Sequence, residues 1–202
     1  MSKCVGRIFL WISGVVCMVL ICVKMIQPIM EQELINSEKY LVTPELHQGD
    51  VLEQSITLEK AGLSQIEAAF VYAENLSADS KAMIEIVSDN ALISKSIVSV
   101  RELPYQTLTV FKADGEVGDQ VTLRISNVSE GETNTQFALL YTDNDLRFFE
   151  NVSLYELNGE AQSGQLISRY TYQVGYDYYM ALTTVFFLVM MCMAIDAIIF
   201  KK

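Results

Sequence analysis

Few residues of this 202-residue chain have the type and spacing that catalysis requires. A hydrolase of the usual kind needs a nucleophile, a general base and a group that orients the base. His47 is the only histidine, residues 27–178 contain no cysteine, and neither a Gly-x-Ser-x-Gly nor a Ser-x-x-Lys sequence occurs. The 24 acidic residues of that segment form no recognisable glycosidase pair. We therefore predict a protein without enzymatic activity, and carboxylate-based cleavage of a glycan is the least favoured alternative.

Two pairs of residues are candidates for binding. Asp143 and Asp145 flank Asn144 and offer the hard oxygen ligands that calcium prefers, although Asp and Asn are equally typical of turns. Phe148 and Phe149 are adjacent, and in a strand they would point to opposite faces, so that one faces outward. The sequence thus predicts a structural calcium site at the first pair and a partner or glycan contact at the second. Other aromatic residues are available to stack on sugar rings, namely Tyr105, Phe111, Tyr141 and Tyr155.

Asp196 is the single charged residue between Met180 and Phe200. An acid within an apolar segment is a candidate for a functional role, and we predict that it contacts a helix of a partner protein. The alternative is that it reaches the membrane surface or pairs with Lys201 or Lys202.

The charges are distributed unevenly along the chain. The net charge is −11, but residues 27–178 contain nine basic and 24 acidic residues, a net charge of −15. A nucleic-acid-binding protein needs a basic face, so that class is excluded. Hydrophobic residues make up 51% of the chain, which excludes intrinsic disorder.

The two ends of the chain are strongly apolar. Residues 8–26 contain one charge, Lys24, and residues 180–200 contain only Asp196. A helix of twenty-one residues is about 31 Å long, close to the hydrocarbon thickness of a bilayer. We therefore predict two transmembrane helices. A cleaved signal peptide is the alternative for the first, and a buried helix of a soluble domain for the second.

Basic residues at both tips predict the orientation. Lys3 and Arg7 precede the first apolar segment, and Lys201 and Lys202 follow the second. By the positive-inside rule, both termini are cytoplasmic and the long loop is extracellular, on a plasma-membrane protein with two spans. The predicted order is tail 1–7, span 8–26, stalk 27–49, extracellular domain 50–173, tyrosine-rich interface 174–179, span 180–200 and tail 201–202.

Residues 50–173 alternate between apolar and polar types, which is typical of strands with one buried face. About eight or nine such runs follow at ten-residue spacing, so the fold class is mainly β, a jelly-roll-like β-sandwich. Asn158-Gly159 predicts a tight hairpin. Residues 58–76, which are rich in alanine and glutamate, are also compatible with a helix.

Several phrases of this region resemble a known class of domain. They are GDVLEQSI at 49–56, LSQI at 63–66, AMIEIVSD at 82–89, DQVTLRIS at 119–126 and FALLY at 137–141. The region is similar to extracellular jelly-roll domains, built like carbohydrate-binding modules, in membrane proteins of Gram-positive bacteria. The resemblance implies a role in cell-surface polysaccharide assembly or export. Trp11, the only tryptophan, lies in the first predicted span rather than in this region.

These observations predict a non-catalytic membrane protein whose external sandwich binds a partner protein or a surface glycan. The predicted partners are membrane lipid and either another membrane protein or further copies of this chain. No cofactor is expected besides the structural calcium. The alternative function is that of a sensor or regulatory subunit of a membrane complex, with Asp196 as a contact to its partner.

Overall fold

The computed structural model describes residues 3–35, 40–89, 91–116, 119–131, 134–144 and 148–200. The chain divides into two compact units. One contains Met1–Ile29 and Val174–Lys202, and the other is Met30–Gln173. The first is built around two helices, and the second is a sandwich of two antiparallel sheets. The architecture is therefore mainly β, with a helix before and after the sandwich in the sequence.

The helical unit contains α1 (Lys3–Met25) and α2 (Tyr179–Phe200). Within α2, Ala181–Ile199 is 19 residues long and apolar enough to cross a bilayer. It is the one such helix in the described part of the chain, because the apolar portion of α1, Ile8–Ile21, is shorter than 18 residues. The predicted span 180–200 thus coincides with a helix of suitable length. The predicted span 8–26 falls on α1, whose apolar portion is too short by the same criterion.

The two helices approach each other at a glycine. A Cβ atom added to Gly14 of α1 would lie 3.0 Å from the Sγ atom of Cys192 in α2. Cys192 is buried. Small residues allow helices to pack closely, and the absence of a side chain at Gly14 leaves room for the Cys192 side chain.

The sandwich consists of two sheets in which the order of the strands differs from their order along the chain. The first sheet has the order β1-β13-β4-β9-β12, with β2 beside β9 and β7 beside β4, and the second has the order β11-β10-β3-β8-β5-β6. The strand bounds are β1 Gln27–Leu34, β2 Leu41–Val42, β3 Val51–Thr57, β4 Leu63–Tyr72, β5 Lys81–Ser88, β6 Ala91–Ser99, β7 Leu108–Gly115, β8 Gln120–Asn127, β9 Phe137–Thr142, β10 Glu156–Leu157, β11 Glu160–Ala161, β12 Gln165–Leu166 and β13 Ser168–Asp177.

Alternation of side chains explains why the second sheet forms. In β3, β5 and β8 every second residue is buried. Successive side chains of a strand point to opposite faces, so these residues share one face and pack against the first sheet. They include Leu52, Ile56, Ile84, Ile86, Leu123 and Ile125. The predicted two-sheet sandwich is confirmed, and residues 63–72 form a strand rather than a helix.

Residues 27–49, predicted to be a stalk, instead contribute to the sheets where they are described. They supply β1 and β2, and Ile35 and Leu46 are completely buried in the core. The backbone N–H of Leu46 donates to the carbonyl of Phe137, and that of Ile35 donates to Ser168. Isolated apolar residues in a polar segment are enough to anchor it when its backbone groups are also paired.

The predicted hairpin at Asn158-Gly159 is confirmed. It joins β10 to β11, and both residues have positive φ, 54° and 81°. The Asn158 side chain accepts from the N–H of Val51 at 2.9 Å and donates to Asp50 Oδ1 at 2.9 Å. The turn thereby connects the hairpin to the start of β3.

Gly159→Ala is expected to lower the free energy of unfolding by about 1 kcal/mol, because a side chain is unfavourable at positive φ. No atom lies within 4 Å of the added Cβ, so the loss reflects the backbone alone. Thermal unfolding should show a midpoint about 2–4 °C lower. Gly175→Ala, also in open space but without positive φ, is the matched control. Equal thermal midpoints for Gly159→Ala and Gly175→Ala would contradict the assignment of a positive-φ turn at Gly159.

Several tyrosines are buried in the sandwich. Burial raises the pKa of Tyr155 to about 12, with a smaller contribution from nearby Tyr141, and burial also raises the pKa of Tyr170. The Tyr170 hydroxyl lies 3.1 Å from Gln54 Nε2, whose side-chain oxygen accepts from the N–H of Leu166 at 2.7 Å. The sandwich therefore favours the neutral phenol in its folded state.

This preference predicts loss of stability at alkaline pH. An unfolded tyrosine ionises near pH 10, so the stabilisation is complete below that pH and declines as pH rises towards 12. Urea unfolding between pH 9 and 12 should show the decline. Tyr155→Phe should make it shallower, because one titrating group is removed. A free energy of unfolding that stays constant up to pH 12 would refute the prediction.

Candidate functional site

Two tyrosines and a carboxylate line a surface cavity at the end of β4. The cavity has a volume of about 490 Å³ and is lined by Tyr72, Ala73, Glu74 and Tyr105. Tyr72 is the last residue of β4, and Ala73 and Glu74 continue from it. Tyr105 belongs to the loop between the 3-10 turn Val100–Glu102 and β7. Strand and loop thus bring together residues that are distant in the sequence.

Backbone contacts fix the loop against the strand. The N–H of Gln106 donates to the carbonyl of Phe70 at 2.9 Å, and Phe70 also forms a parallel bridge with Tyr105. The Tyr72 hydroxyl donates to the carbonyl of Leu103 at 2.7 Å. Because both ends of the short loop are held, Tyr105 is presented by a rigid support.

The two rings meet edge to face. Their centroids are 5.4 Å apart and their planes are inclined by 82°, an arrangement that aromatic quadrupoles favour. Tyr105 nevertheless remains 51% exposed. An immobilised aromatic ring with an open face can stack against the C–H groups of a sugar, and Glu74 can accept hydrogen bonds from sugar hydroxyls.

Gln106 has an unusual backbone conformation beside this ring. Its φ is 53°, which non-glycine residues rarely adopt. Its Nε2 atom lies 3.4 Å from the Tyr105 hydroxyl. Such conformations are often retained where binding requires a particular geometry, and here the conformation belongs to the residue that follows the exposed ring.

The structure places the predicted aromatic pair elsewhere. Phe148 and Phe149 are half-buried and outside the strands, so the strand argument for opposite faces does not apply to them. Phe149 packs against the core. Its N–H donates to Gln165 Oε1 at 3.1 Å, and its carbonyl accepts from Gln165 Nε2 at 3.0 Å. A binding role for this pair remains a prediction.

The other predicted site residues are not brought together with the tyrosines. Asp143 is exposed, and Asp145 lies outside the described residues. Among the described residues, no three His, Cys, Asp or Glu side chains are grouped so that they could hold a metal ion. Asp196 is half-buried in α2 of the helical unit. Calcium binding at the first pair and a partner contact at Asp196 remain predictions.

Charges on the outer face of the second sheet are mutually compensated. Lys95 Nζ lies 2.9 Å from Glu85 Oε1, and Arg124 contacts both Glu85, at 3.8 Å, and Glu53. The hydrogen bond that the Arg124 guanidinium donates to Glu53 raises the pKa of Arg124. These residues lie opposite one another in adjacent strands. The row of alternating charges stabilises strand register and leaves little free charge for a ligand.

Comparison with known proteins gives little beyond the fold. No protein-family model matches the chain, and no curated protein matches its sequence. Among solved structures, it is similar to a carbohydrate-binding module CBM36 in complex with calcium and xylotriose. The identity is 11% and the TM-score 0.29, with 64% of this chain and 99% of that chain covered. A likeness at this level assigns neither a ligand nor a site to this protein.

Proposed function

We propose that this chain is a non-catalytic membrane protein with two spans whose extracellular, jelly-roll-like β-sandwich binds a glycan at the Tyr72–Tyr105 cavity. The observation that carries the proposal is the exposed Tyr105 ring, held against Tyr72 in a cavity that also contains Glu74. The ring supplies an apolar stacking surface and the carboxylate supplies hydrogen-bond acceptors. Neither the stacking nor the hydrogen bonding requires a nucleophile or a general base.

The acidic charge of the sandwich narrows the class of glycan. Residues 27–178 carry a net charge of −15, and Glu74 is exposed in the cavity itself. Long-range repulsion disfavours anionic polymers. The preferred ligand is therefore a neutral oligosaccharide, and the setting is accessory work in the assembly or export of a surface polysaccharide.

The proposed topology depends on the two helices. The apolar α2 provides one span. The second span is proposed from the sequence of residues 8–26, which contain one charge and follow Lys3 and Arg7, because the apolar portion of α1, Ile8–Ile21, is by itself shorter than a span. Basic residues next to a span favour the cytoplasmic side. This arrangement tethers the sandwich at both ends and limits its ligands to molecules near the outer surface of the membrane.

Glycan binding is tested with the full-length protein in detergent micelles or nanodiscs. A panel of neutral and anionic oligosaccharides of the same lengths is titrated by calorimetry. The proposal predicts saturable binding of at least one neutral member and weaker binding of its anionic counterpart. Absence of binding throughout the panel, or preference for the anionic series, would refute it.

Topology is tested separately by labelling in intact cells. Ala78 is exposed on the sandwich, and the native cysteines are confined to positions 4, 17, 22 and 192. With those four replaced by serine, Ala78→Cys should react with a membrane-impermeant maleimide before lysis. The matched control without Ala78→Cys should remain unlabelled. Reaction of Ala78→Cys only after lysis would place the sandwich on the inner side.

A further inference from the structure

A cleft lies between the two sheets where β6 and β7 run beside each other. β6 ends the second sheet, and β7 belongs to the first. The hydroxyl of Ser94 in β6 donates to the carbonyl of Lys112 in β7 at 3.0 Å. The cavity beside this bond has a volume of about 420 Å³, which is within the range of small-molecule sites. The sandwich therefore has a second cavity, and it shares no described lining residue with the Tyr72–Tyr105 cavity.

Hydroxyl groups face this cleft from both strands. Ser96 of β6 lies opposite Ile84, and Thr109 of β7 lies opposite Ala68. Ile84 and Ala68 are buried in the core, and directly opposite residues of an antiparallel pair lie on the same face. Both hydroxyls therefore face the space between the sheets. Ser96 is nevertheless exposed, because the cleft is open to solvent at this strand.

The Thr109 hydroxyl is buried and has no hydrogen-bond partner among the described residues. A buried hydroxyl that makes no hydrogen bond is unfavourable, and such groups are uncommon in folded domains. Thr109 lines the cavity. A molecule bound there with a hydrogen-bond acceptor would supply the missing partner.

The cleft is basic in an otherwise acidic domain. Lys95 and Lys112 line it, and among the described residues no carboxylate does. Lys95 Nζ is compensated by Glu85 Oε1 at 2.9 Å. No carboxylate of the described ranges forms an ion pair with Lys112. One uncompensated ammonium group beside several hydroxyls favours a ligand with a single negative charge.

The inner wall of the cleft is apolar. Val98, Leu103 and Phe111 line it, and Phe111 is almost completely buried. The Phe111 ring meets that of Phe70 edge to face, with centroids 6.2 Å apart, so its position is fixed by the core. Apolar walls with a few convergent polar groups are typical of sites for small molecules.

We propose that the cleft between β6 and β7 binds a small molecule that combines one anionic group with a compact apolar ring. Lys112 attracts the anion, the Thr109 hydroxyl donates a hydrogen bond to it, and the ring lies against Phe111 and Leu103. The long-range repulsion from the acidic sandwich disfavours anionic polymers, but a single charge placed beside Lys112 gains a local partner. The proposal does not depend on glycan binding.

Phenylpropionate is the probe, because it joins one carboxylate to one aromatic ring. It is titrated by calorimetry into the full-length protein in nanodiscs without oligosaccharide, and the heat from empty nanodiscs is subtracted. We expect saturable binding that weakens as the salt concentration rises. Phenylpropionamide lacks the charge and propionate lacks the ring, so each should bind at least about fivefold more weakly. Absence of saturable phenylpropionate binding, or equal binding of the amide, would overturn the proposal.

Two variants locate the probe in the cleft. Lys112→Gln should weaken phenylpropionate binding about fivefold. Lys60→Gln is the matched control, because it changes the net charge equally at a residue that does not line the cleft, and its affinity should match the wild type. Thr109→Val should also weaken binding about fivefold, without a lower thermal midpoint, because this hydroxyl has no partner among the described residues. Wild-type affinity in Lys112→Gln or Thr109→Val, or an equal loss in Lys60→Gln, would overturn the proposal whatever the oligosaccharide titration shows.

Discussion

Phe70→Ala is expected to lower the free energy of unfolding of the sandwich by about 3–5 kcal/mol, the range for removing a large buried aromatic side chain. Phe70 is completely buried in β4. Its ring centroid lies 6.2 Å from that of Phe111 and 5.9 Å from that of Phe137. The substitution would thus leave a cavity beside β4, β7 and β9, which are neighbouring strands of the first sheet.

Urea unfolding followed by near-ultraviolet circular dichroism measures this loss. Phe70→Leu retains most of the volume and should lose much less stability. Val110→Ala, on the exposed face of β7, should change the free energy by less than about 0.5 kcal/mol. If Phe70→Ala unfolded like Val110→Ala, the three phenylalanines would not form the core described here.

Tyr105→Ala is expected to weaken glycan binding about tenfold. Aromatic contacts contribute about 0.5–1.5 kcal/mol beyond the area they bury, and 1.4 kcal/mol corresponds to a factor of ten in the dissociation constant. The loss concerns the ligand and not the fold, because Tyr105 is exposed and lies in a loop. The thermal unfolding midpoint of Tyr105→Ala should remain close to that of the wild type.

Tyr105→Phe separates the ring from the hydroxyl. It preserves the stacking surface and removes the weak contact of 3.4 Å with Gln106, so its affinity should stay within about threefold of the wild type. Phe148→Ala is the matched control at the aromatic pair predicted from the sequence. A tenfold loss in Phe148→Ala with no loss in Tyr105→Ala would move the binding site to that pair.

Periodicity predicts those strands that bury one complete face. Buried and more exposed side chains alternate throughout β3 and β5, and in β8 they alternate from Gln120 to Ile125, so these strands could be recognised from the sequence pattern. β1 could not be recognised, because seven of its eight side chains are exposed, the other is half-buried, and its residues show no period of two. The extended conformation of β1 depends on the pairing of its backbone with β13. At Asn158-Gly159 the two residue types were sufficient to predict the hairpin, because its turn requires positive φ at both positions.

The candidate site depends on contacts that no local pattern reveals. Tyr105 was among the available aromatic residues, but nothing in the sequence joins it to Tyr72. The joining contacts are backbone bonds of Phe70 with Gln106 and the side-chain bond from Tyr72 to Leu103. Phe148 and Phe149 attracted the prediction because they are neighbours in sequence. Their region is irregular, however, so adjacency there does not imply opposite faces.

The most direct test of glycan binding at this cavity is hydrogen–deuterium exchange with and without the tightest-binding neutral oligosaccharide of the panel. The account predicts slower exchange at residues 72–74 and 103–107, with the rest of the sandwich unchanged. Slower exchange confined to residues 148–152, or no difference anywhere at saturating oligosaccharide, would contradict it.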